Sequence, residues 1–200
     1  KKEKLKLSLL LQKVKNNLTK ELLKKIETGT EIRQDMSENQ VKSIYLGIGS
    51  NLGNKKLNII KAKFELIINN IEIIETSSFY ESASWPNKKY PKFCNIVLRV
   101  KTNLKPAVLL KLCKDIETKL GRKKSKKNAP RICDIDILDY NKKSINNKII
   151  LPHPRMHIRN FVLVPLFEIN RNWIHPITKQ HIKRLILALS NSDIRSIKQI

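Results

Sequence analysis

At 200 residues, 40% hydrophobic and 29% charged, the chain is long enough to bury a sizeable core and too apolar to be disordered. Its formal net charge of +24 points to polyanionic ligands, but the lysines spread along the whole chain and aromatics are only 6%, which disfavours a base-stacking nucleic-acid platform. No apolar run approaches transmembrane length. Cys94, Cys113 and Cys133 lie among apolar neighbours with no Cys-x-x-Cys pair, as reduced core thiols of a cytoplasmic protein do.

In chain order, residues 1–40 read as a basic helical extension or linker. Leu5, Leu9, Val14, Leu18, Leu22, Leu23 and Ile26 recur at roughly helical spacing among lysines, and Gly29 with the polar run 34–40 ends the pattern. The main domain is expected over 41–190, with 191–200 as a C-terminal tail. Ser43 to Gly49 is a short apolar strand that runs into the turn Ser50-Asn51-Leu52-Gly53-Asn54. A helix is predicted from Lys55 to Asn69. Such a strand, turn and helix can offer backbone N–H groups to an anion, although neither a dinucleotide fingerprint nor a Walker loop is present.

Ile71 to Tyr80 is the next predicted strand, followed by an exposed loop to Pro91 and a strand from Phe93 to Lys101. Asn95 stands in that strand as an amide able to read a ligand's polar edge. Leu104 to Leu120 has amphipathic helical spacing and is closed by Gly121. Arg122, Lys123, Lys124, Lys126, Lys127 and Arg131 then occur with no acid among them, which suits a phosphate clamp that closes over its ligand.

Residues 130–139 carry the strongest chemical signal. Apolar and polar residues alternate, so Cys133, Ile135 and Ile137 face a core while Asp134 and Asp136 share the opposite face. Two like charges on one strand face repel, and a hard divalent cation such as Mg²⁺ relieves them. After a hairpin-like turn at 141–147, His153 and His157 have i,i+4 spacing, but Pro154 argues against a helix there and no third ligand is evident, so a zinc pair is not expected. A short apolar segment to Phe167 and a last helix over 178–189 complete the chain. The order β-α-β-β-α-β predicts an α+β fold: a ferredoxin-like split β-α-β sandwich, an antiparallel sheet with helices packed on one face and the other face free for a ligand.

From Ile44 to Ile182 the chain resembles the 6-hydroxymethyl-7,8-dihydropterin pyrophosphokinases of folate biosynthesis. The resemblance is carried by Gly49-Ser50-Asn51-Leu52-Gly53, Ser77-Ser78-Phe79-Tyr80, Phe93-x-Asn95, Pro130-Arg131-x-x-Asp134-x-Asp136-Ile137, and Pro152-His153-Pro154-Arg155-Met156-x-x-Arg159-x-Phe161. It implies transfer of the pyrophosphoryl group of ATP to the pterin hydroxymethyl group. It further implies Arg122, Arg131, Asp134 and Asp136 as catalytic residues, with two Mg²⁺ ions on Asp134 and Asp136. Glu117, Arg131, His153 and Arg159 would bind ATP. Ser82, Ala83, Phe93, Asn95 and Phe161 would bind the pterin. Its expected partners are these small molecules and fused or adjacent folate-pathway domains, with no nucleic acid and no membrane. Two departures stand out: Asn128-Ala129 occupy the place where the family often has an aromatic-Gly pair, and Ser82-Ala83 the place of Thr-Pro.

The competing class is a nucleic-acid-binding protein that uses a ferredoxin-like sheet and the +24 charge. Phe93 and Phe161 would supply its stacking surfaces, but Asp134 and Asp136 would repel a phosphate backbone.

Overall fold

A computed structural model describes residues 43–84, 87, 89–122 and 128–200. The predicted extension over 1–40 lies outside the described residues, as do Lys123, Lys124, Lys126 and Lys127 of the basic loop.

Strand β1 (Ile44–Ser50) leads to helix α1 (Lys55–Ile68), which Asn54 caps by accepting the Leu57 N–H at 3.1 Å. The predicted strand over 71–80 is two pieces, β2 (Glu72–Thr76) and β3 (Tyr80–Ser82). Both pair with the long strand β4 (Phe93–Lys101), β2 at its far end and β3 at its near end. The break is held from a distance. Glu168 accepts from the Ser78 backbone N–H at 2.9 Å and from the Ser78 hydroxyl at 2.7 Å, and the Tyr80 hydroxyl donates to it at 3.0 Å.

Helix α2 (Pro106–Lys119) begins with a proline in its first turn, where the missing N–H has no helical partner to lose. It ends before Gly121, whose φ of +99° fits glycine. Strand β5 (Asp134–Tyr140) lies at the sheet edge beside β1, and β6 (Ile145–Asn146) with β7 (Ile150–Leu151) makes a small hairpin. A short 3₁₀ turn precedes α3 (Asn160–Ile169), and α4 (Ile182–Leu187), α5 (Asn191–Ser196) and β8 (Lys198–Gln199) follow. The sheet order is β5-β1-β4-β3-β8, with every pairing antiparallel.

The expected α+β arrangement holds, with α1 and α2 on one face. Ile44, Leu46 and Ile48 of β1, Ile96, Leu98 and Val100 of β4, and Ile135 and Ile137 of β5 pack there against Ile59, Leu66, Leu109 and Cys113. Truncating a leucine such as Leu46 or Leu98 to alanine costs about 2–5 kcal/mol at such a site. The opposite face, expected to be free for a ligand, is free only at one end. At its other end Tyr45, Val97 and Leu138 are covered by Val162, Leu163 and Leu166 of α3 and by Ile182 and Leu185 of α4.

A bulge in β5 makes this division possible. Tyr45 pairs with Asp139 and Leu46 with Ile137, so Leu138 is the extra residue. Leu138 joins the second cluster, while Asp139 accepts the Trp173 indole N–H at 2.9 Å. Tyr140 returns to the first cluster.

Residues 191–200, expected as a tail, belong to the domain. β8 pairs with β3, and the Ile200 N–H donates to the Phe79 carbonyl at 2.9 Å. The sequence hid this because a two-residue strand has no periodicity to detect.

Candidate active site

The open end of the second face is bare because β1 carries glycine there. Gly49 pairs with Asn95 on one side and with Asp134 on the other, and Gly47 pairs likewise with Val97 and Asp136. A Cβ on Gly49 would lie 3.0 Å from Asn95 Oδ1 and 3.3 Å from the Phe93 ring. Glycine therefore lets the amide and the aromatic ring lie against the sheet floor.

Around this floor is a cleft of about 240 Å³. It brings together Ser82, Ala83, Phe93, Asn95 and Phe161 with Arg122, Arg131, Asp134, Asp136, His153 and Arg159. Ser82 pairs with Phe93 in the sheet, and its hydroxyl accepts from the Asn95 amide at 2.9 Å. Phe161 stands at the start of α3, with the Arg159 guanidinium 5.3 Å from its ring centre.

At the acidic end, Asp134 accepts from Arg122 at 2.7 Å and from Arg131 at 3.1 Å. Asp136 lies 3.8 Å from His153 Nε2 and 3.9 Å from Arg159. Burial, and then the neighbouring charge of Asp134, raise the Asp136 carboxyl above its usual range. Two carboxylates on one strand face, one of them carrying a charge that is costly to hold, fit a hard divalent cation that prefers oxygen ligands. Arg131 Nε is buried and has no hydrogen-bond partner among the described residues.

His153 is pushed down to about 4 by burial and by the charges of Arg159 and Arg155, so its ring is neutral near pH 7. Its Nδ1 accepts the Arg155 N–H at 3.2 Å, which leaves the ring proton on Nε2, toward Asp136. Burial works against the Arg122 charge, yet Asp134 and Glu117 more than offset it and raise its pKa.

Glu117 departs from expectation. It is 1% exposed and lies behind the cleft wall rather than on it. Its carboxylate accepts from Lys114 and from the Ile135 N–H, both at 2.7 Å, and pairs with Arg122. Both of its cationic partners, Lys114 and Arg122, line the cleft. Lys114, one helical turn before Glu117, lines the cleft and was not picked out in the sequence, because a lysine on a lysine-rich helix carries no distinguishing pattern.

In the turn 50–54, expected to offer N–H groups to an anion, Asn51 is used internally. The Asn51 N–H donates to the Arg131 carbonyl at 3.1 Å, Asn51 Oδ1 accepts the Arg131 N–H, and the Asn51 amide reaches the Pro91 carbonyl at 3.2 Å. One asparagine thus clamps the entry to β5 against the loop that ends at Pro91.

Fold and site together define a ferredoxin-like α+β protein whose open sheet end suits a flat polar ligand beside a polyphosphate and a divalent cation. The family model for 7,8-dihydro-6-hydroxymethylpterin-pyrophosphokinase matches residues 45–171, and the chain belongs to that family. It is 42% identical over 142 residues to the 2-amino-4-hydroxy-6-hydroxymethyldihydropteridine pyrophosphokinase of Aquifex aeolicus, covering 70% of this chain and 88% of that protein. It is 38% identical over 164 residues to the folic acid synthesis protein fol1 of Pneumocystis carinii, covering 80% of this chain but only 22% of that longer protein. The crystal structure of wild-type Plasmodium falciparum HPPK-DHPS is similar in fold, with a TM-score of 0.61 over 82% of this chain and 49% of that one, at 16% identity. Among the described residues, no helix is long and apolar enough to cross a membrane.

Proposed function

We propose that the domain transfers the pyrophosphoryl group of ATP to the hydroxymethyl oxygen of 6-hydroxymethyl-7,8-dihydropterin, giving AMP and the pterin diphosphate for tetrahydrofolate synthesis. The observation that carries this most directly is the row Asn95–Gly49–Asp134 across the sheet. It puts an amide suited to a pterin's polar edge and a carboxylate suited to a cation on one floor with only a glycine between them.

In the reaction the hydroxymethyl oxygen forms a bond to the β-phosphorus, the bond from that phosphorus to the α,β-bridging oxygen breaks, and the hydroxyl proton is released. AMP leaves with the bridging oxygen. Asp134 and Asp136 would hold two Mg²⁺ ions, which supply charge neutralisation on the phosphates.

This chain's own side chains do the rest. Phe93 and Phe161 sandwich the pterin, and Asn95 reads its polar edge, with Ser82 and Ala83 beside it. Arg122 and Arg131 turn from Asp134 to the phosphate oxygens as the charge between the carboxylates is relieved. Arg159 binds a further oxygen, and neutral His153 donates through Nε2. Glu117 is a positioning residue that aims Arg122 and Lys114. Holding the hydroxyl in line with the β-phosphorus accounts for much of the rate.

The free, buried Cys94, Cys113 and Cys133 support a reducing compartment, the cytoplasm in our reading. Relatives named as bifunctional or fused proteins support a neighbouring folate-pathway domain on this chain as well. An assay of AMP release from ATP plus the pterin tests the function. AMP formed only when both substrates are present is expected. Its absence, with tight sequence-tolerant oligonucleotide binding at physiological salt, would favour the nucleic-acid class instead.

A further inference from the structure

The segment after Ser190 is fastened at both ends next to residues that we assign to the pterin. At one end β8 pairs with β3, matching Gln199 to Tyr80 and Lys198 to Glu81. The Ile200 N–H donates to the Phe79 carbonyl and the Gln199 amide to the Ser78 hydroxyl, both at 2.9 Å. At the other end the Asn160 amide donates to the Asp193 carbonyl at 2.6 Å and to the Ser196 hydroxyl at 3.0 Å.

Each anchor touches a neighbour of the site. β3 is three residues long, and its last residue, Ser82, bonds Asn95. Without β8 it would be a short edge strand, with one side of its backbone unpaired and prone to fraying. Asn160 immediately precedes Phe161, and its Oδ1 accepts the Phe161 N–H at 2.7 Å. A second cavity of about 380 Å³ lies beside the Asn160 anchor. Ser82, Ala83, Arg159 and Phe161 line it as they line the cleft, and Ser192, Asp193 and Ser196 close its far side.

Resting on the pterin assignment above, we infer that residues 191–200 form a strap that positions the pterin-binding walls. β8 and Asn160 are its two fastenings. β8 touches no residue assigned to the phosphates, and of those residues only Arg159 adjoins Asn160, so the strap governs pterin affinity more than nucleotide affinity.

Two variants test this in the full chain. Asn160→Asp keeps an oxygen to accept the Phe161 N–H but cannot donate to Asp193. Deletion of 197–200 removes β8, and if that variant fails to fold, Gln199→Ala takes its place. The expected result is a rise of about tenfold in KM for the pterin, with kcat and KM for ATP held within about twofold. Amide hydrogen exchange across 78–84 should quicken in the same variants. Unchanged exchange would overturn the strap, and quickened exchange with an unchanged pterin KM would overturn its positioning role. A wild-type protein that releases no AMP refutes the pterin assignment instead, and the exchange experiment still decides whether the strap exists.

Discussion

One guanidinium nitrogen of Arg122 donates to both Glu117 and Asp134, so the last turns of α2 and the first residue of the edge strand β5 are joined through a single charge. Glu117 is 1% exposed and uses its other oxygen for Lys114 and the Ile135 N–H. Glu117→Gln should therefore destabilise the domain by about 1–3 kcal/mol, as expected when a buried group loses charged partners. It should also lower turnover, because Arg122 loses its anchor. Thermal denaturation and AMP release measure the two effects, and a variant as stable and active as wild type would remove Glu117 from this role.

Asp134→Asn and Asp136→Asn should each abolish Mg²⁺-dependent transfer; Asp136→Asn should cost little stability, whereas Asp134→Asn also weakens the contacts to Arg122 and Arg131. The burial that raises the Asp136 carboxyl, reinforced by Asp134, means that its charge does not favour the ligand-free fold. Turnover near the wild-type level in either variant would show that the pair is not the cation site.

Asn95→Ala should weaken pterin binding by roughly 1–3 kcal/mol and leave ATP binding nearly unchanged, since the amide faces Ser82 rather than the arginines. Calorimetry with each ligand separately checks this, and equal losses for both would count against the assignment.

Gly49→Ala should act on the same ligand by crowding. The new methyl group would press on Asn95 Oδ1 and the Phe93 ring, and overpacking of this kind costs about 1–3 kcal/mol. Pterin affinity should fall more than ATP affinity. Wild-type pterin affinity would mean that Asn95 and Phe93 can shift without consequence.

His175 supplies a pH dependence far from the cleft. Its Nδ1 accepts the Ile177 N–H at 3.3 Å and the Thr178 N–H at 3.1 Å, which only the neutral ring can do. Burial, and then the nearby His157, lower its pKa below 6.5 in the fold. The unfolded chain thus takes up the proton first. Stability from this residue is complete above about pH 6.5 and is lost as pH falls from there toward the lowered folded value. The urea midpoint should drop between pH 7.5 and 5.5 (roughly one unit either side of the unperturbed value), and His175→Asn should lessen that drop, with His153 supplying the remainder. A slope identical to wild type would sink the assignment to His175.

Much of the site was legible in the sequence because its signals are local. The alternation over 133–137 specifies which residues of a strand share a face, and that alone put Asp134 beside Asp136 and sent Ile135 and Ile137 to the core. Motif segments likewise marked Asn95, Arg131, His153 and Phe161, all of which meet in one cleft. Only the tertiary structure decided what depends on residues distant in the chain. The Leu138 bulge arises from pairing with β1, and the break between β2 and β3 is held by Glu168, 90 residues from Ser78. The segment read as merely apolar up to Phe167 is α3, which contains Pro165 and draws its stability from Tyr45, Val97 and Leu138 beneath it. Glu117, expected at the ligand, is buried behind the cleft wall because burial is a property of the packed whole. β8 became a strand because the exposed edge of β3 offered it unpaired backbone groups, a partner that no local pattern announces.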